Sequence, residues 1–296
     1  MLKGSIVALV TPFNKDNSIN YDELKNLLEM HVKSSDGILI LGTTAEAEVL
    51  TYEEKLEVLR FSAKVVNNRV PLICGAGSNN TLESVKMAEA FSKNGADYLL
   101  VITPYYNKTN ESGLVKHFLM IAESSSVPII MYNVPGRTGM NIPLSVIEKV
   151  YQNKKIIGIK EASGNMSYAI KLTKYLSNDF LMFSGNDDLI VPMMSIGGVG
   201  VISVLANIAP KNTKKMCDLC FKSNYKEAAL LQSALLPVIN NLFSEVNPIP
   251  VKEAMNYLGY NVGGYRMPLD YMSEANKKVL YKAIDDAKEY VLWEYA

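Results

Sequence analysis

The chain has 296 residues, of which 48% are apolar and 20% charged, and its 30 basic and 30 acidic residues leave no formal net charge. A chain of this length can bury a substantial core, and its charge balance favours neither a nucleic-acid partner nor an anionic membrane surface. Three cysteines are too few for a disulfide framework, so a reducing, cytoplasmic compartment is expected.

Short runs rich in β-branched residues recur along the chain and predict eight strands. In chain order they are Ser5–Val10, Ile38–Leu41, Val70–Gly75, Tyr98–Ile102, Pro128–Tyr132, Ile156–Lys160, Leu181–Ser184 and Val199–Val204. The first run begins almost at the amino terminus, which leaves no room for a signal peptide.

Amphipathic stretches between these runs predict helices, and several of them have recognisable start signals. Asn20 is expected to cap the first helix, and Thr51 begins a capping box that opens the second. Asn80 or Thr81 is expected to open the third, and Pro143 suits the first turn of the fifth.

Strands that alternate with helices in this way predict a (β/α)8 TIM barrel. A doubly wound open sheet is the alternative, but it would be expected to carry a Gly-rich nucleotide turn where this chain has Thr11–Phe13. After Pro210 only helical periodicity continues. We therefore predict a barrel with the catalytic site over residues 1–210 and a C-terminal helical region over residues 211–296.

The stretch Leu189–Pro210 carries no charge and is long enough to span a bilayer. Its proline and glycine residues break it into a short helix, a turn and a strand. No membrane span is predicted.

The residues that most often bind metals do not form a complete ligand set. Cys217 and Cys220 are spaced as C-x-x-C, but the remaining candidates, Cys74, His31 and His117, are isolated in the sequence. We predict two thiols on one helix face, histidines that are structural or on the surface, and no metal site.

Lys160 closes the sixth predicted strand behind a run of isoleucines. An ammonium in such surroundings loses hydration, so its pKa should fall and the neutral amine should become populated near neutral pH. A neutral amine in a dry pocket is the nucleophile that forms Schiff bases with ketones. The alternative is a strand-end lysine that extends its charge to solvent, and Lys160 alone would favour it.

Other side chains at the same barrel face decide between these alternatives, since reactive groups in such barrels gather at the carboxyl ends of the strands. Tyr132 ends the neighbouring strand and can move protons. Thr43 and Thr44 offer hydroxyl and backbone N–H groups to one carboxylate, and Arg137 can bind a second. Each is weak evidence alone. Together they predict Schiff-base chemistry on a keto acid without a metal or organic cofactor.

Six segments in this order resemble the pyruvate-dependent class I aldolases of the N-acetylneuraminate lyase superfamily, and the likeness covers essentially the whole chain. They are Ala8–Phe13, Gly42–Thr44, Tyr132–Pro135, Gly158–Glu161, Ser184–Asp187 and Asn247–Lys252. The segment Gly136–Gly139 points to the dihydrodipicolinate synthase family within it, because the sialic-acid lyases lack an arginine there.

The resemblance implies a lyase of diaminopimelate and lysine biosynthesis that condenses pyruvate with L-aspartate 4-semialdehyde to 4-hydroxy-tetrahydrodipicolinate. It implies catalytic roles for Lys160, Tyr132, Thr43 and Tyr106, and substrate-binding roles for Thr44, Arg137, Gly185 and Ile202. Thr43 would link Tyr132 to Tyr106 in a proton relay. Tyr106 would reach into the site of a neighbouring subunit, which implies at least a dimer and an expected homotetramer, a dimer of dimers.

Many members of the family also bind L-lysine as an inhibitor at a subunit interface. The corresponding positions here are Ala47, Glu48, Tyr52, Lys55, Asn79, Glu83 and Tyr105. Tyr52 and Lys55 replace the histidines of the strongly inhibited type, and the cation of Lys55 should repel a dicationic effector unless Glu83 screens it. Weak or absent inhibition is predicted. Ala45–Ala47 also departs from the usual Gly-Glu-Ser of the family.

Two other functions stay open at this point. An aldolase that acts on N-acetylneuraminate or a 2-keto-3-deoxy sugar acid would form the same imine with a different second substrate, and Arg137 argues against it. A non-catalytic barrel that binds keto acids is more distant, because it would not need Lys160, Tyr132, Tyr106 and Thr43 together. The sequence does not decide whether Cys74 is exposed enough to react.

Overall fold

The computed structural model describes residues 2–291 as a closed barrel of eight parallel strands joined in sequence order. The strands are β1 Gly4–Ala8, β2 Gly37–Ile40, β3 Leu72–Gly75, β4 Tyr98–Ile102, β5 Ile129–Asn133, β6 Ile156–Glu161, β7 Leu181–Ser184 and β8 Gly200–Ser203. Parallel pairing of β1 with β8 closes the barrel. The (β/α)8 prediction is confirmed, and the open doubly wound sheet is wrong.

All eight predicted strands are present, and their ends differ from the predicted ones by at most two residues. The first strand is shorter than its apolar run because the backbone N–H of Val10 donates to the Asn207 side chain, 3.2 Å away, instead of to another strand. The isoleucines and valines of such a run therefore indicate burial more reliably than they indicate the last paired residue.

Twelve α-helices lie among the described residues. They are α1 Tyr21–Ser34, α2 Tyr52–Val66, α3 Thr81–Ser92, α4 Glu111–Ser124, α5 Pro135–Thr138, α6 Leu144–Val150, α7 Met166–Leu172, α8 Ile190–Ser195, α9 Pro210–Phe221, α10 Tyr225–Asn241, α11 Ile249–Tyr257 and α12 Glu274–Asp286. The predicted caps at Asn20, Thr51 and Asn80 are confirmed by hydrogen bonds from backbone N–H groups to their side chains. Pro143 instead precedes α6, because its ψ of 147° is extended.

The uncharged stretch Leu189–Pro210 forms α8, a turn and β8, as predicted, and a short 3₁₀ turn follows β8. Between residues 2 and 291 the chain has no helix long and apolar enough to cross a membrane.

Helices cover the outside of the barrel, and the C-terminal helices pack onto it. Helix α9 packs against β1, while α10 contacts α8, α9 and α12. The predicted division at residue 210 falls at the first residue of α9. The division into two regions stays a prediction. Met1 and the last five residues of the predicted helical region, 292–296, lie outside the described residues.

Two apolar clusters separate the inside of the barrel from its outside. Ile6, Leu39, Ile73, Ile130 and Ile202 belong to the interior cluster, whereas alternate strand residues pack toward the helices. Because strand side chains alternate between faces, this arrangement determines which strand-end residues point inward. Apolar side chains fill the barrel interior below the carboxyl ends of the strands, and polar groups collect at those ends.

Candidate active site

Lys160 and Tyr132 face each other at the carboxyl ends of β5 and β6. They are register partners, and Lys160 Nζ lies 4.5 Å from the centroid of the Tyr132 ring. Ile159 packs toward the helices, so the next side chain, Lys160, faces the barrel interior. The structure thus brings the predicted amine and phenol into one buried layer.

The surroundings of Lys160 increase the fraction of its neutral form. Burial lowers the pKa of Lys160 to about 8; the Asp187 carboxylate opposes this shift and the Arg137 guanidinium adds to it. Lys160 is then a neutral amine in roughly a tenth of the molecules at pH 7. An ordinary lysine is neutral in fewer than about one molecule in a thousand. Within residues 2–291 no carboxylate forms a salt bridge with Lys160. The amine is therefore suited to nucleophilic attack.

Asp187 is a charged neighbour of this amine to which sequence reasoning gave no role. Its carboxylate accepts hydrogen bonds from Ser203 Oγ at 2.5 Å and from the backbone N–H groups of Val204 and Leu205 at 3.0 and 2.9 Å. Burial raises the pKa of Asp187, while these hydrogen bonds lower it. The side chain joins the ends of β7 and β8 near Lys160. An acidic residue three positions after a buried strand was the available signal.

The hydroxyl of Tyr132 is placed for proton exchange with Thr43. Burial raises the pKa of Tyr132, whereas Arg137 and a hydrogen bond with Thr43 lower it. The opposing effects keep a proton on a phenol that has a hydroxyl partner. Such a group can donate and recover a proton within one reaction cycle.

Thr44 is buried, and its hydroxyl has a partner from the C-terminal region. Asn247 Nδ2 donates to Thr44 Oγ1 at 3.0 Å, which leaves the threonine O–H free to donate to a bound carboxylate. Arg137 Nη2 donates to the Asn247 carbonyl at 2.9 Å. In the sequence, Asn247 begins the segment Asn247–Lys252 that resembles the family, but no role was predicted for it. A polar residue between two helices gave little sign of this contact.

These groups surround one cavity of about 480 Å³. Its lining includes six of the eight residues predicted for catalysis or substrate binding, namely Thr43, Thr44, Tyr132, Arg137, Lys160 and Gly185. Gly185 leaves room here, since an added Cβ would lie 2.5 Å from Ala162 Cβ. The volume is sufficient for a small-molecule site, and polar groups stand at several points of a mostly apolar wall.

The other two predicted residues lie away from the cavity lining. Ile202 is fully buried in the interior cluster of the barrel. Tyr106 is 91% exposed and has a left-handed backbone, with φ 69°. Their roles, like those of the cavity residues, stay predictions.

The positions predicted for lysine binding divide between two places. Ala47, Glu48 and Tyr105 are among the residues that line the cavity, and the Tyr105 hydroxyl donates to Glu48 Oε2 at 2.7 Å. Tyr52 lies outside it, stacked on Phe91. The remaining positions are Lys55 on α2, Asn79 before α3 and Glu83 on α3.

The cysteines and histidines lie elsewhere and are buried. Burial raises the pKa of the Cys74 thiol far above its usual range, so Cys74 is not poised to react. Cys217 and Cys220 are both buried on α9, as predicted. Burial lowers the pKa of His31 to about 3 and that of His117 to about 4, so both are neutral structural residues. The described part of the chain contains no cluster of three or more His, Cys, Asp or Glu residues arranged for a metal ion.

Comparisons with known proteins show which family the chain resembles over its whole length. A sequence model of the dihydrodipicolinate synthetase family matches residues 1–287. The chain is 48% identical over 281 residues to the 4-hydroxy-tetrahydrodipicolinate synthase of Clostridium perfringens strain SM101, with 95% of this chain and 96% of that protein covered.

Solved structures show the same likeness. The chloride-inhibited dihydrodipicolinate synthase from Acinetobacter baumannii, solved with pyruvate, has a TM-score of 0.95 and 37% identity, covering 97% of this chain and 99% of that one. A dihydrodipicolinate synthase variant described as the first monomeric one has a TM-score of 0.93 and 34% identity, with 97% of each chain covered. From sequence and structure together, the chain belongs to the dihydrodipicolinate synthetase family.

Proposed function

We propose that the protein condenses pyruvate with L-aspartate 4-semialdehyde through an imine on Lys160, giving 4-hydroxy-tetrahydrodipicolinate for diaminopimelate and lysine biosynthesis. The observation that carries this proposal is the buried Lys160 amine, whose pKa is lowered to about 8, 4.5 Å from the Tyr132 ring. The imine requires no metal or organic cofactor, because the lysine itself activates the ketone.

The first half of the reaction uses Lys160, Tyr132 and the threonines. The neutral amine attacks C2 of pyruvate, whose carboxylate accepts hydrogen bonds from Thr44 and neighbouring backbone N–H groups. Tyr132 then protonates the carbinolamine hydroxyl, water leaves, and the imine forms. Thr43 supports this step by exchanging a proton with Tyr132.

The second half uses Arg137 at the mouth of the cavity. Tyr132, which gave up its proton in the dehydration step, accepts a proton from C3 of the bound pyruvate and so gives an enamine. The enamine attacks the aldehyde carbon of the second substrate, and Tyr132 returns the proton to the aldehyde oxygen, which becomes the hydroxyl group of the product. Arg137 holds the carboxylate of that substrate through its planar guanidinium. Attack of the product amine on the imine carbon closes the ring and releases Lys160.

Tyr106 fits this scheme as a residue that serves a neighbouring subunit. Its side chain is 91% exposed and is not among the residues that line the cavity of its own chain. We propose a homotetramer in the cytoplasm in which Tyr106 completes the proton relay of a partner site. Size-exclusion chromatography with light scattering tests the assembly, and a fully active monomer would contradict it.

The central test is trapping with borohydride. The protein is incubated with pyruvate, reduced and digested, and the reduced adduct is expected on the Lys160 peptide alone. A coupled assay with pyruvate and L-aspartate 4-semialdehyde, run beside cleavage of N-acetylneuraminate, then identifies the second substrate. Adduct without condensation would favour a sugar-acid aldolase or a keto-acid-binding barrel.

Feedback control provides a separate prediction. Lys55 lies on α2, where a fixed cation disfavours binding of a second cationic molecule. We expect millimolar L-lysine to change the condensation rate by less than about twofold, which corresponds to a weak interaction. Strong inhibition in the coupled assay would contradict this expectation.

A further inference from the structure

A second buried lysine, Lys252 on α11, lies behind the turn that follows β2. Its ammonium donates to Glu46 Oε1 at 2.9 Å, to the Thr11 carbonyl at 3.1 Å and to the Gly264 carbonyl. A lysine ammonium has three N–H donors, so all of them are used here. Both partners of the ion pair are fully buried. The contacts describe a lysine that is held as a cation.

Glu46 forms the end of the turn that this lysine contacts. Its backbone is left-handed, with φ 54°, which costs about 1–2 kcal/mol for a residue other than glycine. Its N–H donates to the Thr43 carbonyl at 3.1 Å, and its Oε2 accepts from the Arg266 N–H at 3.0 Å. The carboxylate therefore holds the turn in a conformation that the backbone alone would disfavour.

The same turn carries the two threonines of the active site. Thr43 interacts with the Tyr132 side chain and lowers its pKa, and both threonines line the cavity. The turn is also fixed from its other side, because Thr11 Oγ1 donates to the Ala45 carbonyl at 2.7 Å. The Thr11 carbonyl in turn accepts from the lysine described above.

A gain in folding stability does not explain why the protein has a buried ion pair at this position. Removing two charges from water offsets most of their attraction, and apolar side chains of similar volume often serve a fold equally well. The ion pair instead joins α11 to the turn that carries the threonines. Its more direct consequence is the orientation of the two hydroxyl groups.

We propose that Glu46 and Lys252 are positioning residues, whose ion pair holds the turn so that Thr43 meets Tyr132 and Thr44 meets the carboxylate of pyruvate. The inference rests on the proposed function, since it assigns the turn to the first substrate. Arg137 and the second substrate are not held by this pair.

The test is the double variant Glu46→Gln/Lys252→Met, which removes both charges and keeps an acceptor for the Arg266 N–H. We expect the pyruvate concentration that half-saturates borohydride trapping on Lys160 to rise about tenfold, the effect of one weakened hydrogen bond to a charged group. The kcat should fall by a similar factor, while KM for L-aspartate 4-semialdehyde stays within about twofold.

The matched control is Glu54→Gln, which removes a carboxylate that pairs with Arg266 at 2.6 Å on the same C-terminal segment. Glutamine still serves the capping box at that position. Pyruvate trapping and both KM values should stay within about twofold of the parent. Should the double variant not fold, Glu46→Asp keeps the charge and tolerates a left-handed backbone, and the same selective loss toward pyruvate is expected.

Two results would overturn the positioning role. One is a folded variant with unchanged pyruvate saturation and kcat, and the other is an equal rise in both KM values. If the parent forms the adduct but no condensation product, the proposed function fails, while trapping still tests the ion pair. A parent that forms no pyruvate adduct would overturn both.

Discussion

Two lysines are buried in the described part of the chain, and their surroundings differ in one decisive respect. Lys252 donates to a carboxylate and two carbonyl groups. Lys160 instead faces the Tyr132 ring, and no described carboxylate forms a salt bridge with it. Burial lowers the pKa of both.

The comparison teaches that burial alone does not identify a nucleophilic lysine. At Lys252 three acceptors bind the three N–H groups of the ammonium, so the charged form has a structural role. At Lys160, which has no salt bridge to a described carboxylate, the neutral amine is more accessible. The cavity beside it gives a ketone room to approach. The number of hydrogen-bond acceptors around the amine therefore distinguishes the nucleophilic lysine, Lys160, from the structural lysine, Lys252.

The largest expected effects come from replacing each lysine with methionine. Lys160→Met should lower condensation by at least about 10³-fold, because no amine remains to form the imine. Lys252→Met should leave the Lys160 adduct detectable but cost about 3–5 kcal/mol of unfolding free energy, since Glu46 is left buried and unpaired. Trapping and urea unfolding measure the two effects.

Lys160→Met should raise the free energy of unfolding, whereas Lys252→Met should lower it. The folded pKa of Lys160 is lowered from 10.5 to about 8, so the unfolded chain binds more protons between those values. Lys160 therefore destabilises the fold fully below about pH 8, and the penalty is relieved as pH rises toward its unfolded value. Its replacement should add up to about 3 kcal/mol at pH 7. A folded Lys252→Met protein that formed no pyruvate adduct on Lys160 would contradict the distinction between a nucleophilic and a structural lysine.

The next largest effect is expected for Tyr132→Phe. Loss of the hydroxyl should reduce kcat by about 10²-fold or more, because carbinolamine dehydration loses its acid. The adduct should still form, only more slowly. Tyr168→Phe is the matched control, since the Tyr168 hydroxyl is buried on the Ile142 carbonyl away from the cavity. It should lower stability by about 1 kcal/mol and leave kcat unchanged in a steady-state assay.

Arg137→Ala should act mainly on the second substrate, because burial contributes more than Arg137 does to the lowered pKa of Lys160. We expect KM for L-aspartate 4-semialdehyde to rise about 30-fold through loss of the charged hydrogen bonds to its carboxylate. Pyruvate trapping should change little. Arg69→Ala removes an arginine that pairs with Glu29 at the surface and should change neither constant. A rise in pyruvate saturation of the same size would assign Arg137 to the first substrate instead.

The smallest effect concerns pH. Because the nucleophile is the deprotonated amine and the pKa of Lys160 is lowered to about 8, the rate of imine formation at low pyruvate should rise through that pH. It should be about tenfold faster at about pH 9 than at about pH 7 and level off above. Timed trapping across this range measures it. A rate that kept rising in proportion to hydroxide well above pH 9 would indicate an amine of ordinary pKa.

The barrel was predictable from sequence because each strand is a short β-branched run followed by an amphipathic helix. Most of the cavity was predictable for a related reason, since the carboxyl ends of parallel strands converge and Lys160, Tyr132 and Thr44 each follow or end one. The contacts that support them were not. Lys252 meets Glu46 across 206 positions of sequence, and no local pattern reports a pairing at that distance.

Tyr106 marks a different limit. Its exposure and left-handed backbone are visible only in the structure, and the proposed partner site belongs to another chain. Asp187 lies between these cases. Its position after β7 was visible in the sequence, but its three hydrogen bonds from β8 and the residues after it depend on how the barrel closes.

The outer wall of the cavity has a consequence for how such enzymes diversify. Beyond the strand ends, that wall is built by Phe243, Val246, Pro248, Pro268 and Leu269, which lie in connections between helices rather than in the barrel. Connecting segments tolerate substitution far better than packed strands do. A descendant could therefore acquire a new aldehyde partner by mutation in these connections, while the barrel continued to activate the same ketone.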